Sequence, residues 1–305
     1  MKKVFIDGSA GTTGLRIHER LKDRDDISVI TLNEEMRKDN AARREAFCEA
    51  DIAFLCLPDA AAREAAELAP DDTVILDTSS AHRTAQGWTY GFPEINKNRR
   101  EEIAKSKRIS VPGCHAGGFI ALVSPLVKAG IIPSDLPLFC FSITGYSGGG
   151  KKMIAEYESS ENELLFAPRQ YGIGQNHKHL PEMKAACSLD VTPVFCPVVS
   201  DFYSGMEVTV PLFASQIKGN ADDIKAVYKN AYNGPVVFYG EDDEEGFLSA
   251  AKYSKTDKMT VGVSGNDERI ILCARYDNLG KGASGAAIQC MNIVMGTDET
   301  RGLEL

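Results

Sequence analysis

Lys3-Val4-Phe5-Ile6-Asp7-Gly8-Ser9-Ala10-Gly11-Thr12-Thr13-Gly14-Leu15 is the stretch on which the fold turns. Residues 4–6 are a short apolar, β-rich run, and the helical composition of residues 12–21 follows across a turn spaced G-x-x-G-x-x-G. Glycines there permit a tight turn and close backbone approach, so a pyrophosphate can rest on the N–H groups at the helix start. The spacing differs from the common G-x-G-x-x-G, and glycine turns often follow a first strand. The strand–turn–helix context is what favours a nucleotide. Gly8, Ser9, Gly11, Thr12, Thr13 and Gly14 are therefore the candidate cofactor-binding residues.

The alternation continues outward from that turn. Residues 27–32, 52–57, 74–77 and 108–111 are β-rich, and residues 41–49, 59–68 and 93–106 have helical composition. Such alternation predicts right-handed βαβ units and a parallel sheet. Asp59, just after Pro58, reads as an N-cap. The second strand runs into Asn33-Glu34-Glu35-Met36-Arg37-Lys38. Glu34 suits the ribose hydroxyl of NAD, whereas Arg37 and Lys38 suit a 2′-phosphate, which favours NADP. A solvated helix start is the plain alternative. Asp77-Thr78-Ser79-Ser80-Ala81-His82-Arg83 follows the fourth strand at its carboxyl end, where ligands of such sheets collect. Ser79 joins the cofactor candidates, and Arg83 is a candidate fork for a carboxylate or phosphate. Tyr90-Gly91-Phe92-Pro93-Glu94 reads as a turn feeding a helix, with Glu94 on its first turn.

At Val111-Pro112-Gly113-Cys114-His115-Ala116-Gly117-Gly118 the strand is broken by Pro112 and Gly113, and the apolar run of residues 119–127 reads as a buried helix. That puts Cys114 on its first turn, where unpaired N–H groups and the helix dipole favour a thiolate near neutral pH. A packed core cysteine is the bland alternative. Beyond it the texture changes. Residues 138–144, 194–199, 207–213, 236–239, 259–263 and 269–276 read as longer strands, with residues 222–232 the clearest helix. A second, mixed or antiparallel sheet follows, suited to a substrate site and subunit contacts. The cluster Glu241-Asp242-Asp243-Glu244-Glu245 reads as an exposed loop.

Three stretches of this second part carry chemistry. Gly145-Tyr146-Ser147-Gly148-Gly149-Gly150-Lys151-Lys152 reads as a mobile, N–H-rich loop with two cations. His177-Lys178-His179-Leu180-Pro181-Glu182 leads into a helix, and its spacing lets Glu182 orient His179 or stabilise its charged form. Zinc is a rival use, disfavoured because no third ligand lies near in sequence. Asp277-Asn278-Leu279-Gly280-Lys281-Gly282-Ala283-Ser284-Gly285 opens a helix of small residues that is expected to return to the first domain. Asn278 is a candidate partner for a nicotinamide amide.

Composition bounds the function. A hydrophobic fraction of 43% with 25% charged residues describes a globular protein, and the 305 residues suffice for two cores. A net charge of −9 without a basic stripe argues against nucleic acid. The chain shows neither a secretory signal core nor a run of transmembrane length, so a cytoplasmic location without membrane contact is expected. Eight cysteines lack any Cys-x-x-Cys pair and are expected to be reduced, with Cys56, Cys140, Cys196, Cys273 and Cys290 in apolar runs.

At Gly8–Gly14, Tyr90–Glu94, Pro112-Gly113-Cys114-His115, His177–Glu182 and Asp277–Gly285 the chain resembles the N-acetyl-γ-glutamyl-phosphate reductases of arginine biosynthesis, in their shorter form, nearly end to end. The Asp277–Gly285 stretch is shared with aspartate-semialdehyde dehydrogenases. His115 stands where longer relatives carry Tyr, and Ser80-Ala81-His82-Arg83 replaces Ser-Ala-Asp-Phe-Arg. The resemblance implies an α/β fold with a Rossmann-type NADP-binding domain (residues 1–113, completed by a C-terminal helix at about 279–305). It further implies an α+β catalytic and dimerisation domain (residues 114–278), NADPH as reductant, and a homodimer or homotetramer. In that scheme Cys114 is the nucleophile towards a small acyl phosphate, His179 the acid–base and Glu182 its partner, while Arg83, Lys151 and His177 meet the substrate's anionic groups. Aspartate-semialdehyde dehydrogenase, needing the same thiol, base and cofactor, is the near rival. An NADP-binding redox sensor without turnover is the remote one.

Overall fold

The computed structural model describes residues 1–159, 161–241 and 245–305. β1 (Lys2–Asp7), β2 (Ile27–Ile30), β3 (Ile52–Leu55), β4 (Val74–Asp77), β5 (Thr89–Tyr90) and β6 (Arg108–Ser110) form one sheet in the order β2-β1-β3-β4-β6-β5. Every neighbouring pair in it is parallel. Strand order reverses between β1 and β3, which makes the carboxyl end of β1 the switch point where such sheets bind ligands. The connecting helices are α1 (Thr12–Leu21), α2 (Asn40–Glu49), α3 (Asp59–Leu68) and α4 (Arg99–Lys105). One face of the sheet buries Ile17, Leu21, Ile103, Ile288 and Met291, and the other buries Phe47, Ala62 and Ala65. A doubly wound, Rossmann-type unit results. It comprises Met1–Pro93, Asn98–Gly113 and Ala283–Leu303.

Two local expectations fail here, each for a visible reason, and one strand goes unread. Residues 93–106 are not one helix: a 3₁₀ turn at Pro93–Ile95 stops short of α4. The Ile95 carbonyl, which a continuing helix would bond to the residue 99 N–H, instead accepts from Lys128 Nζ at 2.9 Å. Asp59 is no N-cap, because its carboxylate accepts from Ser80 N (3.0 Å) and Ser80 Oγ (2.6 Å). The two-residue strand β5 was too short to be legible.

The second unit (Glu94–Lys97, Cys114–Gly282, Glu304–Leu305) is built on a seven-stranded mixed sheet. Its strands are β7 (Phe139–Gly145), β8 (Arg169–Gln170), β9 (Val194–Ser200), β10 (Met206–Phe213), β11 (Val237–Tyr239), β12 (Met259–Gly265) and β13 (Arg269–Tyr276), in the order β11-β12-β13-β10-β7-β9-β8. Its helices are α5 (Cys114–Lys128), α6 (Gly150–Ser159), α7 (His179–Cys187) and α8 (Ala221–Ala231); α9 (Gly285–Met295) belongs to the first unit. α5 is apolar all round, as a central buried helix must be. Pro125 inside it has no N–H for the Ala121 carbonyl, and the Tyr232 hydroxyl donates there instead at 2.7 Å. The opposite face of the sheet leaves Phe139, Phe141, Val194, Phe213 and Ile271 exposed.

The mobile glycine loop expected at residues 145–152 is an ordered 3₁₀ turn, Tyr146–Gly149, running into α6. Backbone bonds from Gly145, Tyr146 and Ser147 to the 202–205 segment hold it, so Lys151 stands exposed on the first turn of a helix. Of the acidic cluster, Glu241 and Glu245 are exposed, and Asp242, Asp243 and Glu244 lie outside the described residues. Cys140, Cys273 and Cys290 are buried as expected, Cys187 is buried too, and Cys56 and Cys196 are half-buried. Among the described residues no helix is long and apolar enough to cross a membrane.

Candidate active site

Cys114 is the first residue of α5 and is half-buried. Tyr276, at the end of β13, clamps the turn it sits on: its hydroxyl donates to the Cys114 carbonyl and accepts from Gly118 N at 3.0 Å. A Cβ on Gly118 would lie 2.5 Å from that hydroxyl, which is why the position is glycine. Gly282 is equally constrained, since a Cβ there would meet the Cys114 Cβ at 3.1 Å. The Cys114 turn is thus held from two sides by residues more than 150 positions away in sequence.

α7 brings the histidines. His179 opens it, its N–H donating to His177 Nδ1 at 3.2 Å, and the two rings lie 4.7 Å apart. His179 and Glu182 are both buried, three residues apart on one face of the helix. α7 packs on α5, so the His115 ring comes within 5.6 Å of His179 and 6.3 Å of His177. His115 itself is fixed at both nitrogens: Nδ1 to Ser142 Oγ on β7 and Nε2 to the Tyr171 hydroxyl, each 2.7 Å. Burial, and then the charge of His177, push the His115 pKa down to about 3, so its ring is neutral at working pH. Burial, then the Cys114 thiolate charge, raise the Tyr171 phenol, which stays protonated. Burial and Cys114 act on Tyr276 in the same direction.

Sequence reading singled out Cys114, His177, His179 and Glu182; the two histidines lie ring to ring, Glu182 is buried on the same helix as His179, and that helix packs on the one Cys114 opens. It missed Tyr171, Ser142 and Tyr276, for which no local motif exists, and noted His115 only as a departure from relatives. Asn278, expected at a nicotinamide, is buried: its Oδ1 accepts from Gly205 N (2.8 Å) and its Nδ2 donates to Ser147 Oγ (3.0 Å). Its amide pins the 145–149 turn, leaving one Nδ2 hydrogen for any cofactor contact. Lys281 forms an ion pair with Glu94 at 2.8 Å, both side chains almost fully buried. No group of three or more His, Cys, Asp or Glu among the described residues is placed to hold a metal ion.

The first unit carries the nucleotide features. Gly8 has φ +88°, and a Cβ there would lie 2.3 Å from the Cys56 carbonyl oxygen; one on Gly14 would lie 2.4 Å from the Gly8 oxygen. Gly11 caps α1 without any side-chain hydrogen bond, so the helix presents bare N–H groups at Thr12 and Thr13. That cradle, with Ser9 at its edge, fits the pyrophosphate of a dinucleotide. Arg37 and Lys38 are exposed on a 3₁₀ turn, Met36–Lys38, as a 2′-phosphate would require. Beside the turn, a buried Asp7 accepts from Arg43 at 2.8 Å, and burial raises its carboxyl despite that partner. Two residues are drawn away from ligand roles. Ser79 donates through both N and Oγ to Asp77. Arg83 spends Nε on the Val111 carbonyl and Nη2 on the Thr78 carbonyl, 3.0 Å each, stitching the ends of β4 and β6.

Known proteins were compared with the chain. The semialdehyde dehydrogenase NAD-binding domain matches residues 3–105, and the semialdehyde dehydrogenase dimerisation domain matches residues 114–278. N-acetyl-γ-glutamyl-phosphate reductase 2 of Nostoc sp. is 42% identical, covering 99% of each chain. The N-acetyl-γ-glutamyl-phosphate reductase of Chelativorans sp. is 43% identical, covering 96% of this chain and 98% of the relative. Among solved structures, aspartate semialdehyde dehydrogenase II of Vibrio cholerae superposes with a TM-score of 0.73 at 18% identity, covering 97% and 99% of the two chains. The Candida albicans enzyme solved with NADP gives 0.66 at 14%, covering 97% and 98%. At these identities the structures speak for the fold.

Proposed function

This chain belongs to the N-acetyl-γ-glutamyl-phosphate reductase family, and from that premise we infer that it reduces N-acetyl-γ-glutamyl phosphate to N-acetylglutamate 5-semialdehyde and phosphate with NADPH, in arginine biosynthesis. The observation that carries the reading is the packing of α7, which the His177–His179 pair opens ring to ring, on α5, the helix that begins at Cys114. Bound NADPH supplies the hydride.

Cys114 attacks the γ-acyl carbonyl as a thiolate, favoured by the N–H groups and dipole of its helix end, and phosphate leaves to give a thioester. A thioester accepts hydride more readily than a carboxylate. The resulting hemithioacetal collapses, sulfur leaving, with His179 as acid and base and Glu182 supporting its charged form. Support for this pairing is their burial on one face of α7. His177 and the exposed Lys151 are the stronger candidates for the substrate's anionic groups. Arg83 is the weaker one, given the two carbonyls it already serves. Gly8, Ser9, Gly11, Thr12, Thr13 and Gly14 are assigned to the dinucleotide pyrophosphate and Arg37 and Lys38 to the 2′-phosphate, with Ser79 and Asn278 secondary. A homodimer or homotetramer is supported by the apolar outer face of the second sheet, Phe139, Phe141, Val194, Phe213 and Ile271, a patch too coherent for an isolated subunit. Family membership supports a cytoplasmic setting.

The test is turnover of purified protein with N-acetylglutamate semialdehyde, phosphate and NADP⁺, set against aspartate semialdehyde. Cys114→Ala should abolish it while leaving NADP⁺ binding intact. Retained turnover in that variant, or preference for the aspartate compound, would overturn the assignment.

A further inference from the structure

Three hydroxyl- and imidazole-bearing residues that this scheme does not use form a hydrogen-bonded chain through His115, the residue after Cys114. Ser142 is fully buried in the middle of β7, His115 follows Cys114 in sequence, and Tyr171 lies just past β8, half-buried. Ser142 Oγ has one hydrogen-bond partner among the described residues, His115 Nδ1. The ring nitrogens leave two proton arrangements. If Nδ1 carried the proton, the Ser142 hydroxyl hydrogen would be buried without an acceptor, at a cost of about 1–3 kcal/mol. If Ser142 donates to Nδ1, the proton sits on Nε2, which donates to the Tyr171 oxygen, and the one hydrogen left over is that of the half-buried Tyr171. The second arrangement is favoured, because a half-buried phenol can turn its hydrogen to solvent or substrate and a fully buried serine hydroxyl cannot. His115 is locked in it as a neutral ring, because burial denies it a second proton. The Tyr171 hydrogen is then turned away from His115, and it has no acceptor among the described residues.

Resting on the function proposed above, we propose that Tyr171 is a further catalytic residue, donating its hydroxyl hydrogen to the substrate oxygen that becomes negative when Cys114 adds, and that His115, fixed by Ser142, is the residue that aims it. In that step the S–C bond forms while the carbonyl π pair moves onto oxygen, where the Tyr171 O–H meets it. On collapse the pair returns, the C–O bond to phosphate breaks, and its electrons leave with phosphate. Tyr171 keeps its proton throughout. Its raised phenol suits it as donor and not as base. Its hydroxyl is held by the residue next to Cys114 and its ring lies 6.0 Å from that of His177, at the reacting end of the site.

Tyr171→Phe removes the donor and keeps the ring. Its kcat for semialdehyde oxidation should fall by roughly 10²-fold, the lower range for losing one oxyanion donor, with KM within about threefold. The pH profile of Cys114 alkylation by iodoacetamide in the free enzyme should stay unchanged. His115→Phe should lose as much as Tyr171→Phe, and the double variant no more than either. Should His115→Phe not fold, Ser142→Ala, which frees the ring to turn its proton round, should lower kcat by about threefold or more. An unaltered kcat in Tyr171→Phe, or a loss confined to KM, overturns the proposal. So does an upward shift of the alkylation profile, since Tyr171 would then serve the thiolate. These outcomes are separate from failure of the proposed function, which shows as wild-type protein without Cys114-dependent turnover.

Discussion

Lys281→Met removes the cation from the buried pair with Glu94. The two side chains are 1% and 5% exposed and their charged atoms 2.8 Å apart, a gross attraction of about 6 kcal/mol at an effective dielectric constant of 20. Most of that attraction offsets the desolvation of both ions, so the pair adds little net stability, but its half-removal takes the cation from a buried carboxylate and should cost about 3–5 kcal/mol. A ceiling applies. Glu94 can then take up a proton, which for an ordinary glutamate costs about 4 kcal/mol at pH 7 and about 1 kcal/mol at pH 5. The loss should therefore be near 3–4 kcal/mol at pH 7 and shrink as pH falls, the variant gaining stability relative to wild type because its carboxyl is neutralised. For a unit of this size a thermal scan should show Tm lowered by roughly 6–16 °C at pH 7 and by only a few degrees at pH 5. Glu94→Met combined with Lys281→Met, which removes both charges, should recover most of the loss. A single variant within 1 kcal/mol of wild type at pH 7, a loss independent of pH, or a double variant as damaged as the two singles added would refute the reasoning.

His115 predicts an acid limb. Its folded pKa is depressed from 6.5 to about 3, so the stability tied to its neutral form is complete above pH 6.5 and drains away as pH falls towards 3, reaching about 5 kcal/mol. Urea unfolding at pH 7, 5 and 4 should show His115→Phe losing less on acidification than wild type; equal losses would count against it. Gly8→Ala puts a Cβ against the immobile Cys56 carbonyl at positive φ, so a cost of about 2–4 kcal/mol and at least a tenfold loss of NADP⁺ affinity are expected, read by scanning fluorimetry and titration. Unchanged affinity would remove the pyrophosphate from that turn. His179→Asn should cut turnover by roughly 10²–10⁴-fold in steady-state assays, whereas a wild-type rate would move the acid–base role to His177.

Local chemistry alone determined the bounds of α1, α3, β4 and β13, the alternation that yields the parallel sheet, and the start of a helix at Cys114. These depend on periodicity and on the turn preferences of Gly and Pro, which act over a few residues and leave their mark in the chain. Tertiary structure decided what side chains do once distant segments meet. Lys128 ends a helix at Ile95 from 33 positions away. Backbone carbonyls claim Arg83, Ser147 and Gly205 claim Asn278, and an ordered helix start claims Lys151. Ser142 and Tyr171 give His115 its tautomer from 27 and 56 positions away. Hydrogen bonding and burial are satisfied by whichever group the fold brings within 3 Å, and that proximity is written in the topology of the sheets.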